Sequence, residues 1–381
     1  MSRSRARRVL RRAIDLSLVL PAGAVIALIW ANTAHESYER FAGALRFAVN
    51  DVGMAFFFAL ATKEVVEATA AGGALHTWRR AALPVVAAAG GMAGPALIYS
   101  VFVLIQNVPE LARGWAIPCA TDIALSYLVA KAIFHDHPAI PFLLLLAIAD
   151  DALGLIILAL FYPAGQVRIG VALGIMAAAL AVLVIIRRRR VMSSWPYVVA
   201  GGTLSWLALF VGGLHPALAL VPVVPFMPHA TVDAGLFVES PPDPADTLGD
   251  FERAWKYPVQ IMLFFFGLVN AGIPLNHVGP GTAAVLIGVL AGKPLGILAA
   301  VALALGVGLY LPRGLAWRDL IVVGFAAGIG FTVALFFATA AFPAGPLLEQ
   351  TKMGALLSVS SSVAAFVAAA ALGVGRYRAA A

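Results

Sequence analysis

The sequence predicts an all-α polytopic membrane protein with about 12 transmembrane helices, and three observations carry that expectation. Hydrophobic residues make up 62% of the 381-residue chain and charged residues 12%, about half the ~25% charge of a soluble domain. Runs free of Asp, Glu, Lys and Arg, among them Ala81–Pro109, Val191–Val232, Tyr257–Gly292, Leu320–Leu348 and Met353–Gly375, reach or exceed the about 20 residues that cross a bilayer. The basic residues are distributed unevenly between the loops. The runs are apolar all round, whereas strands of a membrane barrel alternate apolar and polar residues. This composition excludes a soluble enzyme, a nucleic-acid binder and a disordered scaffold. A single cysteine, Cys119, excludes a disulfide framework and a cysteine-rich metal site.

The expected spans cover about 13–31, 51–70, 82–106, 115–131, 139–162, 167–186, 196–212, 214–228, 256–275, 281–309, 318–342 and 352–375. The first follows the basic run Arg3 to Arg12, which has the form of a signal peptide's start but is read as the head of an uncleaved span. Spans seven and eight come from the one run 191–232, divided near Gly212-Gly213. A polar loop at about 229–254 follows, with six acidic residues ahead of Arg253, and reads as a solvated linker. With the N-terminus placed in the cytoplasm, 19 of the 26 basic residues fall on that side. Five (Arg40, Arg46, Arg113, Arg168 and Lys352) fall outside, and Lys63 and Lys293 lie within spans. The positive-inside bias thus supports an even count with both termini cytoplasmic. It also explains the pI of about 9.8 through contact with anionic lipid heads, with no nucleic-acid partner.

Ionisable residues inside spans are costly and mark ion paths by default. Here they are Lys63, Glu64, Glu67, Asp122, Asp150, Asp151 and Lys293. Glu67 lies near a span end, and Lys63 and Glu64 are placed to neutralise each other. Asp150 and Asp151 are adjacent on one helix, about 100° apart. One is expected to line a water-filled cavity and the other to face a neighbouring helix, where Lys293 is its natural mate. The fourth span holds Pro118, Thr121 and Asp122, and the eleventh holds Gly324, Gly328, Gly330 and Thr332. Proline removes a backbone donor and glycine weakens a helix, so both spans are expected to unwind at their centres. Close packing through Gly324-x3-Gly328 and Gly288-x3-Gly292 remains the other explanation of the glycines. Broken helices at corresponding places in two halves indicate an inverted-repeat transporter in which spans four and eleven are discontinuous.

At these residues the sequence resembles the bacterial Na+/H+ antiporter NhaA family. Trp115-Ala-Ile-Pro-Cys-Ala-Thr-Asp-Ile-Ala124 is similar to its fourth-span signature and Ala147-Ile-Ala-Asp-Asp-Ala-Leu-Gly154 to its paired-aspartate span. Gly292-Lys-Pro-Leu-Gly-Ile297 and Gly328-Ile-Gly-Phe-Thr332 are similar to its tenth and eleventh spans. The resemblance runs in order over nearly the whole chain. It implies an antiporter of the bacterial inner membrane that exchanges Na+ or Li+ for H+, with no cofactor. A core bundle of spans 3–5 and 10–12 would be joined to panel or dimerisation helices. By that match Asp151 and Asp150 exchange the ions, Thr121 and Asp122 belong to the two discontinuous crossed helices of spans four and eleven, and Lys293 is the counter-charge. Glu64 and Glu252 fall where the family places residues linked to pH response. Lys63 precedes Glu64, where the family's basic residues usually follow. The outside loop at about 32–50 lacks the β-hairpin that some members use to form a homodimer.

Three rivals are weaker. A sodium-coupled symporter needs an organic-substrate pocket, and the spans contain no convergent arginine or aromatic cage. An intramembrane aspartyl protease needs two aspartates facing each other across a peptide, whereas Asp150 and Asp151 are neighbours on one helix. A passive channel would lack strict counter-coupling. The chain is therefore expected not to be an enzyme.

Overall fold

The structure is a computed structural model that describes residues 19–229 and 246–377. The basic run Arg3 to Arg12 and most of the acidic loop lie outside the described residues. Every regular element among the described residues is helical. The α-helices used below are α1 (Val19–Thr33), α2 (His35–Phe47), α3 (Met54–Thr69), α4 (Trp78–Ile105), α5 (Ile123–Phe134), α6 (Ala139–Phe161), α7 (Ile169–Arg188) and α8 (Thr203–Val211). They continue as α9 (Thr247–Asn270), α10 (Pro280–Ile287), α11 (Lys293–Gly306), α12 (Trp317–Ala327), α13 (Phe331–Ala341), α14 (Pro346–Leu357) and α15 (Ser360–Leu372).

Among these residues seven continuous helical stretches are long and apolar enough to cross a membrane, or nine if each of two bent pairs is one span. The bent pairs are Pro109–Cys119 with α5, at 53°, and α12 with α13, at 51°, the two spans expected to break. Three expected spans stand apart from these nine. α1 is apolar, and its described part, Val19–Thr33, starts at the first described residue. α9 is 24 residues long and carries Asp250, Glu252, Arg253 and Lys256 in its first half. The eighth expected span, 214–228, is not an α-helix. It forms two single 3-10 turns, Pro216–Leu218 and Val224–Phe226. Pro216, Pro222, Pro225 and Pro228 punctuate it, and each removes a helix donor. Its apolar side chains are nevertheless buried, Ala217, Leu218, Val223, Val224 and Met227 among them, so hydropathy marked burial without marking conformation.

Two further expectations change. The segment expected as a loop at about 32–50 contains helix α2, which runs through the π-helical turn Ala48–Gly53 into α3. Lys352, assigned to an outside segment, is buried on α14.

The described residues divide into two compact units. One comprises 19–26, 35–76, 155–229 and 246–269. Its core gathers Ala55, Ala59, Leu183, Tyr197, Leu220 and Phe251, and Trp255 stacks on Phe56 with ring centroids 3.7 Å apart. The second comprises 27–34, 77–154 and 270–377. Its core draws on α4, α5, α6, α11, α12 and α15. Here α4 meets α10 and α11 through small residues. A Cβ on Gly94 would collide with the Gly292 carbonyl oxygen, and one on Gly296 with that of Gly90. Such glycine-lined seams let helix backbones touch where lipid provides no hydrophobic drive for association.

Candidate functional site

The site belongs to the second unit and is built from two chain breaks, one lysine and the paired aspartates. Pro118 lies in the short 3-10 turn Ile117–Cys119, after which Ala120 is extended and α5 begins at Ile123. Asp122 is the N-cap of α5, and its Oδ1 accepts from the Leu125 N–H at 3.1 Å. The other break spans Gly328 to Gly330. The two breaks satisfy one another. The Asp122 N–H donates to the Ile329 carbonyl at 2.6 Å, and Thr121 Oγ1 donates to the Ala327 carbonyl at 2.9 Å. Asp122 Oδ2 accepts a hydrogen bond from Thr332 Oγ1. Backbone groups freed by unwinding inside a membrane must find such partners.

Lys293 is fully buried and donates to Asp150 Oδ2 at 2.8 Å and to the Cys119 carbonyl. It therefore meets both a carboxylate and the negative end of the chain segment that stops at the first break. The lysine sits directly after the π-helical turn Gly288–Gly292. Pro294 lacks an N–H and cannot close an α-helical bond back to Leu290. The Lys293 N–H instead reaches the Gly288 carbonyl, the wider spacing of a π turn.

Asp150 and Asp151 differ in exposure. Asp150 is buried and its Oδ1 has no hydrogen-bond partner, while Asp151 is half-buried. A second buried oxygen without a partner, Ser126 Oγ, lies one turn beyond Asp122 on α5. The unit thus brings together Thr121 and Asp122 with the second break, and Asp150 with Lys293. Thr332, Ser126 and the Cys119 carbonyl were not singled out as site groups, although Thr332 closes the glycine-rich motif that was. Ser358 and Ser361 also support the second break: Ser358 Oγ accepts from the Gly330 N–H at 3.2 Å, and Ser361 Oγ donates to the Phe325 carbonyl at 2.7 Å.

Glu64 and Glu252 belong to the other unit. Buried Lys63 bridges them, with Nζ 3.5 Å from Glu64, 2.9 Å from Glu252 and 2.5 Å from Glu67. Glu67, placed by the sequence near a span end, is thus the closest of these three partners, one helical turn away.

A family model described as Na+/H+ antiporter 1 matches residues 7–372. The chain belongs to that family. Curated relatives cover nearly its full length. The Na(+)/H(+) antiporter NhaA of Desulfitobacterium hafniense (strain DSM 10664 / DCB-2) is 42% identical over 374 residues, 96% of each chain. That of Geobacter sulfurreducens is 43% identical over 371 residues, 95% of this chain and 97% of the relative. The solved sodium proton antiporter MjNhaP1 from Methanocaldococcus jannaschii shares the fold, with a TM-score of 0.59, 16% identity, and coverage of 94% of this chain and 92% of that one. Membership makes this a multi-pass membrane transporter and not an enzyme, which removes the protease rival. Na+/H+ antiporters carry their ions without a cofactor.

Proposed function

We propose that the chain exports cytoplasmic Na+ or Li+ in exchange for external H+, electrogenically, by competition for buried carboxylates. The observation that carries this reading is the Lys293–Asp150 ion pair, 0% and 2% exposed, beside half-buried Asp151 on the same helix. A hard monovalent cation needs oxygen ligands. Asp151, Asp150 and Thr121 supply them, together with backbone carbonyls of the first break, and the orphaned Asp150 Oδ1 is suited to accept a cation. Asp122 stays in its hydrogen-bonded place and offsets the positive ends of the broken helices. A protonated carboxyl group attracts Na+ weakly, whereas an ionised one attracts it strongly. The site therefore holds protons or sodium, and a carrier that moves only when loaded exchanges one for the other.

Two protons entering for one sodium leaving move one net charge. Lys293 is the counter-charge to Asp150 in the sodium-ready state. Alternating access follows from movement of a core bundle, spans 3–5 and 10–12, against the panel helices. The composition of the two units supports that division. Crossing of the two broken spans is part of the same reading. Glu64 and Glu252, tied through Lys63, tune the response to pH. We place the chain in the bacterial inner membrane with both termini cytoplasmic, from the charge asymmetry of its loops, and assemble it as a homodimer without a hairpin.

Reconstitution into liposomes with an internal pH dye tests the scheme. NaCl and LiCl are expected to dissipate a preformed pH gradient without any organic solute, and KCl to leave it intact. A requirement for an organic solute would move the assignment to a symporter.

A further inference from the structure

We propose a binding site for a phosphate-bearing anion at one end of the second unit, separate from the ion-exchange residues and independent of their mechanism. A cavity of about 340 Å3 opens there, lined by Arg318, Arg376, His135, His137 and Asp319 among others. Its volume lies within the ~300–1,000 Å3 range of ligand cavities. The cavity is assembled from helix ends: the C-terminus of α5, the turn leading into α6, the N-terminus of α12 and the turn after α15. All four helices belong to apolar spans or bent pairs, so the cavity lies where spans end.

Its donors are prepared for an acceptor from outside. Arg318 is exposed and, among the described residues, its side chain makes no hydrogen bond or ion pair. The Arg376 guanidinium lies 5.4 Å from the Phe366 ring centroid and 4.8 Å from that of Tyr377, and donates to the Tyr377 hydroxyl at 2.7 Å. An arginine held by its neighbours in this way loses little rotamer freedom on engaging a ligand, and its planar fork fits phosphate oxygens. His137 Nδ1 accepts from the Ala139 N–H at 3.2 Å. In the neutral ring Nε2 therefore carries the hydrogen and remains a donor.

Among the described residues Asp319 is the one acidic group lining the cavity. Its carboxylate is buried and accepts from the Ala316 N–H at 2.7 Å, so it serves its own helix start. The nearby Lys131–Asp136 pair, at 3.1 Å, is exposed and self-contained. Two backbone features show that the cavity wall is specifically built. His135 closes α5 at φ +57, a region non-glycine residues rarely occupy and which is enriched at functional sites. Gly375, at φ +59, lies so close to α5 that a Cβ would collide with the Ile133 carbonyl oxygen. Basic pockets between helix ends recognise lipid phosphate headgroups, and free phosphate shares the same chemistry.

The test uses the full chain purified in detergent. Native mass spectrometry reads retained phosphatidylglycerol, and melting is followed with added phosphatidylglycerol, phosphatidylcholine or inorganic phosphate. The wild type is expected to retain phosphatidylglycerol and to melt higher with it than with phosphatidylcholine. R318Q/R376Q is expected to retain about tenfold less or lower, the loss of at least one charge-assisted contact, and to lose the melting increment. R318K/R376K keeps charge without the fork and is expected to fall between the two. Inorganic phosphate raising the wild-type melting point, and not that of the glutamine variant, would identify the free anion as the source. R318Q and R376Q singly, both at exposed positions, provide the comparison if the double variant does not fold. Equal phosphatidylglycerol retention by wild type and variants, with no response to phosphate, overturns the proposal.

Discussion

Lys293 and Asp150 occupy positions where neither is tolerable alone. Removing one member of a buried ion pair leaves an uncompensated charge and costs about 3–5 kcal/mol, while removing both is often nearly neutral. Lys293→Ala is therefore expected to lower the melting temperature strongly, and Lys293→Ala/Asp150→Asn to recover most of the loss. A double variant as unstable as the single one would show that packing and not charge holds the site. Asp151 differs because it is half-buried. Asp151→Asn is expected to abolish sodium-dependent proton flux in liposomes while melting within a few degrees of wild type. Robust flux in that variant would refute the carboxylate scheme. Charge in an apolar run is a signal any single sequence displays, and for that reason Asp122, Asp150, Asp151 and Lys293 were legible. Ser126 and the Cys119 carbonyl were not, because a serine or a peptide oxygen in a helix carries no mark of where it will point.

At the scale of elements, the two breaks were legible from Pro118 and from Gly328 and Gly330, each of which weakens the helix where it stands. Proline was decisive again at 214–228, where apolar character alone suggested a span but four missing donors prevent a helix. The contact of α4 with α10 and α11 depends on the absence of side chains. Gly94→Ala places a methyl group against the Gly292 carbonyl oxygen, on the residue before Lys293. Backbone cannot yield as a side-chain tip can. The substitution is expected to cost about 1–3 kcal/mol and to weaken the apparent sodium affinity by displacing the lysine. Gly174→Ala on α7 is the control, since a Cβ there meets nothing within 4 Å and alanine favours helix. It is expected to leave melting unchanged or raised, with exchange intact. Similar melting for the two variants would show that the seam is looser than its geometry implies.

For the whole molecule, the even count expected from loop charges rests on segments whose helices differ widely in length and polarity. α9 falls short of a clean apolar span because it is charged at its start. A hydropathy rule sees only composition, whereas a bundle can bury a polar helix start against its neighbours. What composition did determine is a helical, membrane-spanning chain. A chain with 12% charge that still buries lysine and aspartate in its spans retains them despite their cost, and the proposed exchange of two protons for one sodium would give them a use that the membrane potential can drive. That coupling makes a prediction about the intact transporter. In liposomes preloaded with radioactive sodium, with equal pH on both sides, an inside-negative potassium diffusion potential is expected to speed sodium exit. Reversing the potential is expected to slow it. Each 100 mV supplies about 2.3 kcal/mol per net charge, enough at the limit to hold a sodium gradient of about fiftyfold. An electroneutral exchanger would show the same sodium exit at either polarity, and that outcome would leave the carboxylates exchanging one proton per sodium.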